Sequence, residues 1–298
     1  MLKANNAFGI LTLATPNDYL KAIGLALSAR VSNPGIPIAV ACSAKVRPLV
    51  APYFDHVIDE KPNLKGFVHK VYLDQYSPFV ETMFFDSDVL LFKPVRPYIE
   101  SWGLGPYYAC GHLMTNGTST FGLDRQLVLK KIGKQKLVVI DGAGHAFFRQ
   151  PSCQEVFDLA REVTREHAHY AGDIPYADED VIDIVMTMLD LEPAPFTDFF
   201  ARCMSAVPGT MEMDASRGLC RFIAVFNGKT FEPCMVHFAA NEAPYQYTVQ
   251  LIKLFKLFGV DTKGLLRLGF SDFFELEVRM RASSWKNRIK KRISRQLA

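Results

Sequence analysis

Asp86 and Asp88 stand one residue apart in ETMFFDSDVLLFKPV (residues 81–95), with three apolar residues before them and three after. Two carboxylates held close together repel, and a cation between them removes the repulsion. Hard divalent ions such as Mg²⁺ or Mn²⁺ accept this oxygen ligation and leave positions for phosphate oxygens. Residues i and i+2 of an extended segment point to the same side, so the pair can converge on one ion. A metal–diphosphate site is one reading. The other is an Asp86 that turns the chain beside a solvated Asp88, and a second acidic triplet, Asp178-Glu179-Asp180, lies further along. His167 and His169 in EHAHYAGD have no third ligand at a zinc spacing and read as surface or structural residues.

The elements that must position these residues follow from periodicity. FGILTLA (8–14), IPIAVAC (36–42), HVID (56–59) and TMFFDSD are short apolar runs. They alternate with helix-like YLKAIGLALSARV, AKVRPLVAPYF and LKGFVHKVYLDQY, with Asn17 or Asp18 as N-cap of the first. This alternation predicts an α/β fold with a mostly parallel central sheet flanked by helices. Past Pro94 the pattern becomes mixed. Helices are expected in SCQEVFDLAREVTREHA and from about Tyr176, and RFIAVFNGKTFEPCMVHF reads as a hairpin with Asn227-Gly228 in a type I′ turn. In a parallel sheet ligands collect at the carboxyl ends of strands, and the apolar run 82–85 ends at Asp86.

The chain has 298 residues and 49% hydrophobic content, enough for a sizeable core. Its six cysteines form no C-x-x-C pair and its start lacks a signal-peptide pattern, which points to the cytoplasm. No apolar stretch reaches the roughly 18 residues of a membrane span. The net charge of +3 conceals a basic end: residues 279–298 carry eight Lys or Arg and no acid. SSWKNRIKKRISRQLA places Trp285, Ile289, Ile293 and Leu297 at i, i+4, i+8 and i+12 among cations. As a helix this suits an anionic membrane surface; nucleic-acid binding and a solvated tail are the competing readings.

The first strand, the D-x-D triplet and several separated motifs resemble the GT-A nucleotide-sugar glycosyltransferases, specifically glycosyltransferase family 8, over roughly residues 7–250. The resemblance implies that LTLATPNDYLKA, with Leu13, Thr15 and Tyr19, grips the nucleobase, Tyr19 by stacking. It implies that Lys70, sixteen residues before Asp86, meets the diphosphate or sugar. Ser87 and Gly144 would lie against the donor, with the Gly142-Ala143-Gly144 segment standing where the family carries an asparagine motif. YADEDVIDIV resembles the family's D-Q-D segment, so Asp178 and Glu179 would act on the sugar and acceptor, Glu179 replacing a glutamine. HFAANEAPY resembles the family's final motif, which makes His237 the third metal ligand with Asp86 and Asp88. Pro244 and Tyr245 sit at matching spacings there, while the family's lysine is replaced by Ala243.

The resemblance therefore implies a GT-A fold and a Mn²⁺- or Mg²⁺-dependent, retaining hexosyltransferase. The donor would be a nucleotide-diphosphate sugar, UDP-linked above all, and the acceptor a saccharide or glycolipid. Residues 1–262 are expected to form the catalytic domain and 263–298 a helical basic appendage bound to the cytoplasmic membrane face, with no nucleic-acid partner. Two alternatives stand beside it: a nucleotide-sugar-binding protein with a degenerate site, suggested by Ala243 and Gly142, and a phosphatase of the haloacid-dehalogenase type, whose nucleophile motif is also a strand followed by D-x-D.

Overall fold

The computed structural model describes residues 7–142, 144–239 and 243–296, and for residues 279, 280 and 283–296 it describes the backbone alone. The apolar runs of the first half form the parallel strands β1 (Phe8–Ala14), β2 (Ile38–Cys42), β3 (His56–Asp59) and β4 (Glu81–Phe85). After a turn come β5 (Val89–Leu91) and β6 (Tyr107–Tyr108). The pair β7 (Gly111–Met114) and β8 (Leu137–Ile140) follows, then β9 (His145–Arg149) and β10 (Phe200–Arg202). Next are β11 (Glu212–Asp214), β12 (Leu219–Ile223) and β13 (Thr230–Phe231), and last β14 (Met235–His237).

The central sheet has the order β3-β2-β1-β4-β9-β6. The first four strands are parallel, and β9 runs antiparallel to both β4 and β6, so the sheet is mixed with one reversed strand. Alternate residues face two separate cores. Ile10, Val40, Met83 and Phe85 pack on one side with helix Tyr19–Ser32. Leu11, Ala39, Ala41 and Phe84 pack on the other with helices Gln154–Arg165 and Asp178–Met188. Burial on both faces is why these strands read as continuous apolar runs rather than alternating ones.

Three expectations need correction. The RFIAVFNGKTFEPCMVHF segment does not close as one two-residue hairpin. β12 pairs with β13 through Phe222 and Phe231, only Gly228 of the presumed turn dipeptide has positive φ, and the MVH strand instead lies between β10 and β5. The helix-like LKGFVHKVYLDQY is a 3₁₀ segment, Gly66–Tyr72, followed by the single helical turn Leu73–Tyr76. Asp18 stands at the N-cap of the first helix, but its Oδ1 accepts from the Thr15 N–H at 2.6 Å and caps no helical N–H.

Helix Pro244–Leu257 and the long helix Leu265–Gln296 complete the chain. Leu265 joins the first core, and Asp272 forms a buried ion pair with Lys21 of the first helix at 3.0 Å. No helix among the described residues is long and apolar enough to cross a membrane. All six cysteines are buried and carry no disulfide.

His145, the first residue of β9, is buried, and its Nε2 accepts from the Cys110 N–H at 3.0 Å. Burial, reinforced by the nearby His237 and Lys70, pushes its pKa down to about 3. The folded state thus keeps this ring neutral where the unfolded chain protonates it near 6.5. Its contribution is full above pH 6.5 and is lost as pH falls below that value. For the wild type this amounts to about 2 kcal/mol by pH 5. His145→Gln keeps an acceptor for Cys110 and is expected to flatten the acid limb of stability by that amount, as measured by denaturant unfolding at pH 7 and pH 5.

Candidate functional site

In the order β3-β2-β1-β4 the chain reverses direction of growth between β1 and β4, and loops leaving the carboxyl ends of these two strands bound a crevice. From β1 come Thr15 to Asp18; from β4 come Asp86 to Asp88. The acid pair does not sit on an extended segment as its spacing predicted. The Asp86 N–H donates to the Gly144 carbonyl at 2.9 Å, and its own carbonyl accepts from Val89 at 3.1 Å, so the chain turns sharply between β4 and β5. The turn, rather than strand alternation, makes the two carboxylates converge.

β5 pairs antiparallel with β14, Val89 opposite His237, and Phe238 N–H donates to the Asp88 carbonyl at 3.0 Å. This pairing brings His237 Nε2 to 3.1 Å from Asp88 Oδ1 and 3.9 Å from Asp86 Oδ2. One potential ligand atom from each of Asp86, Asp88 and His237 lies within 4.8 Å of the others. A set of two carboxylates and one imidazole suits a divalent cation, and such a ligand set commonly leaves open positions. His237 Nδ1 is buried and has no hydrogen-bond partner among the described residues. The residues present therefore fit a metal ion, and its identity belongs to the proposal below.

Lys70, on the 3₁₀ segment, reaches between two acids: its Nζ lies 2.9 Å from Asp86 and 2.9 Å from Asp178 Oδ2. Asp178 opens helix Asp178–Met188 and is itself buried. The charges explain the titration. Burial pushes Lys70 down, but Asp178 and Asp86 outweigh it and hold the ammonium well above its ordinary range. Burial raises Asp86, and Lys70 and His237 only partly offset this. Asp88 is pushed up by burial but ends below its ordinary value because His237, Lys21 and Lys70 face it. Burial disfavours His237 protonation, yet Asp88 and Asp86 raise it overall.

Of the residues singled out in sequence, Lys70, Asp86, Asp88, Asp178, His237 and Gly144 meet at one place. Ser87 lies between the acids, and its carbonyl accepts from the Tyr247 hydroxyl at 3.4 Å. Leu13 is half-buried at the end of β1, Thr15 is exposed in the following loop, and Tyr19 is half-buried against the first core. Asp18 of the same loop is close enough to feel the charge of Asp88. Glu179 is half-buried one residue beyond Asp178 and adds to the upward shift of the buried Asp183. His167 is half-buried and His169 exposed, away from any metal cluster among the described residues.

Two contributors were not anticipated. Tyr247, not Tyr245, packs on the site: its ring stacks on Phe238 with centroids 4.5 Å apart, whereas Tyr245 is exposed. The available signal was helical phase, since a helix starting at Pro244 turns its fourth residue back toward the core. The second is the reason for Gly144. A Cβ there would stand 2.5 Å from both Cε1 and Nδ1 of His237, so the absent side chain makes room for the imidazole.

No family model and no curated protein matches this sequence. Solved structures do resemble it. The galactosyltransferase LgtC, solved in complex with donor and acceptor sugar analogues, shares 15% identity at a TM-score of 0.55, over 88% of this chain and 95% of LgtC. Apo WbbM, a bifunctional glycosyltransferase, shares 11% identity at a TM-score of 0.54 over 88% of this chain, which spans only 51% of WbbM. The apo glycosyltransferase GlyE of Streptococcus pneumoniae shares 10% identity at a TM-score of 0.53, over 89% of this chain and 63% of GlyE. At these identities the likeness establishes the fold: a GT-A-like α/β architecture with a mixed central sheet and a C-terminal helical region.

Gly144→Ala drives a methyl group into the His237 ring. It is expected to weaken binding of an added divalent cation, with Mn²⁺ as the probe, by about 10- to 100-fold, the usual cost of disturbing a ligand's support. Counting free Mn²⁺ by electron paramagnetic resonance during a titration measures this, and unchanged affinity would show that Gly144 has no part in placing His237.

Proposed function

We propose that this protein is a metal-dependent glycosyltransferase that moves a sugar from a nucleotide-diphosphate donor, UDP-linked above all, to a saccharide or lipid-linked saccharide, with retention of configuration. The observation that carries the reading is the Asp86, Asp88 and His237 cluster at the β1/β4 switch point of a GT-A-like sheet, with Lys70 and Asp178 next to it. Asp86, Asp88 and His237 hold Mn²⁺ or Mg²⁺. Bound there, the ion supplies Lewis-acid neutralisation of the departing diphosphate.

The chain's own residues do the rest. Leu13, Thr15 and Tyr19, at the carboxyl end of β1, receive the nucleoside; Ser87 and Gly144 line the path of the donor. Lys70 carries a permanent positive charge and divides it between Asp86 and Asp178, which holds the Asp178 carboxylate in place toward the sugar hydroxyls. Glu179 supplies a second carboxylate on the same helical turn, where an oxocarbenium-like centre needs negative charge. Residues 1–262 form the catalytic unit in this reading, and the basic appendage 263–298 brings it to an anionic membrane surface.

A panel of UDP- and GDP-sugars with Mn²⁺, followed by diphosphonucleoside release, tests the reading. Release is expected for at least one donor, is abolished by chelation, and falls by about 100-fold or more in Asp88→Asn. Metal-dependent donor binding with no release or transfer for any donor would leave a binding protein in place of an enzyme.

Ala243 stands where the resembled family places a phosphate-binding lysine. Its φ of 47° is already left-handed, so lysine meets no more backbone strain there than alanine does. Ala243→Lys is expected to raise kcat by about tenfold by adding a cation at the leaving group. Steady-state kinetics measure it, and an unchanged kcat would mean that the diphosphate lies elsewhere.

A further inference from the structure

Helix Leu265–Gln296 begins inside the body of the protein. Leu265 is fully buried in the first core, and Asp272, two turns further on, is buried as well. Two glycines let the chain come this close. A Cβ at Gly264 would stand 2.8 Å from Leu20 Cδ1 of the first helix, and one at Gly269 would stand 2.6 Å from Thr248 Oγ1 of helix Pro244–Leu257. On the face so docked, Asp272 Oδ2 meets the Lys21 ammonium of the first helix at 3.0 Å, the two side chains being 9% and 10% exposed.

A buried ion pair of this kind is a poor fastening. Apolar side chains of similar size commonly hold two helices as well or better, because both charges have to leave water. What the pair supplies that apolar packing cannot is charge, and it stands beside the Asp86–Asp88 turn. The Lys21 ammonium lies 5.9 Å from the centroid of the Tyr247 ring, and the Tyr247 hydroxyl donates to the carbonyl of Ser87, the residue between the two acids. Burial pushes the Tyr247 phenol far above its ordinary range, and Asp88, Asp272 and Asp18 add to the effect, so three carboxylates act on this one hydroxyl. Lys21 acts in the opposite sense on Asp88 and Asp18, favouring their ionised forms.

An ammonium that faces Asp88 helps to keep it ionised but repels a divalent cation held by the same carboxylate. Asp272 offsets the repulsion, because a carboxylate 3.0 Å from the ammonium leaves the pair close to neutral toward a third charge. We propose that Asp272 is a positioning residue of the metal cluster that acts through Lys21, so that the docked start of helix Leu265–Gln296 belongs to the site and raises its affinity for a divalent cation. The site then extends past residue 262. The inference rests on the metal reading of Asp86, Asp88 and His237. Linkage makes the effect reciprocal: a cation in the cluster favours the docked helix by the factor by which the docked helix favours the cation.

The test titrates the full chain with Mn²⁺ as the probe and counts the free ion by electron paramagnetic resonance. Asp272→Asn keeps the shape of the side chain and is expected to weaken binding by about three- to tenfold. Lys21→Met is expected to strengthen it by about the same factor. Lys21→Met/Asp272→Asn is expected to return to within about twofold of the wild type, the two effects being of opposite sign. A purely structural role would weaken binding in all three variants; that result, or no change in either single variant, overturns the proposal. Hydrogen exchange of the wild type over residues 265–278 checks the reciprocal effect without any substitution. Saturating Mn²⁺ is expected to slow exchange there by about threefold or more beyond any slowing in helix Gln154–Arg165, and equal slowing in both helices overturns the proposal. A wild type that binds no Mn²⁺ would remove the metal reading and this inference together, whereas an unchanged Asp272→Asn in a chain that binds Mn²⁺ removes this inference alone.

Discussion

Three carboxylates and two basic groups share a few ångströms at the carboxyl edge of the sheet, and the surrounding chain is arranged to keep them there. Asp86, Asp88 and Asp178 are largely out of water, where unpaired negative charge costs far more than on a surface. Lys70 binds Asp86 and Asp178 at 2.9 Å each and His237 binds Asp88 at 3.1 Å, so every carboxylate has a cationic neighbour. Lys70 and His237 touch the three carboxylates directly, and Lys21 faces Asp88 from further away. A divalent cation held by Asp86, Asp88 and His237 would add positive charge to the same acid pair and would require the neutral imidazole.

This balance assigns different work to the two basic groups. Lys70 is held protonated by two acids and has no exchangeable role: it is a fixed charge joining the β4 end to the Asp178–Met188 helix. Burial disfavours the protonated His237 ring, and Asp88 and Asp86 raise its pKa against that effect. His237 is the member that a metal ion can use as a neutral ligand, whereas Lys70 is a fixed charge.

Much of this was legible in the sequence because it depends on local runs. Continuous apolar strands ending in Asp86 revealed a sheet covered on both faces, and the H-F motif at His237 pointed across about 150 residues to the acid pair. What was hidden depends on contacts between segments. The reversed β9 looks like any apolar strand, and only its pairing with β4 makes Gly144 the roof of the Asp86 turn. The turn at Asp86–Val89 interrupts a run whose apolar residues read straight through it. The exchange of Tyr245 for Tyr247 reflects a helix phase set by where Pro244 starts the helix. Apart from Arg281 and Ala282, the side chains of the basic tail, including the Trp285 stripe, lie outside the described residues, so that part of the sequence reading stands on the sequence alone.

The segment from His237 to Tyr247 shows why the third ligand can be precise although it comes from so far along the chain. At its start, β14 is fixed to β5, and Phe238 donates to the Asp88 carbonyl; at its end, the Tyr247 hydroxyl donates to the Ser87 carbonyl. Both ends are thus tied to the same three-residue turn that carries the acids. Ala243 takes a left-handed conformation just before Pro244, which excludes the ordinary helical conformation for the residue preceding it. A left-handed alanine costs about 1 kcal/mol and persists only where its surroundings determine it. The distance between imidazole and carboxylates is set by the pairing of β14 with β5, and the left-handed Ala243 is a local cost where the following helix starts.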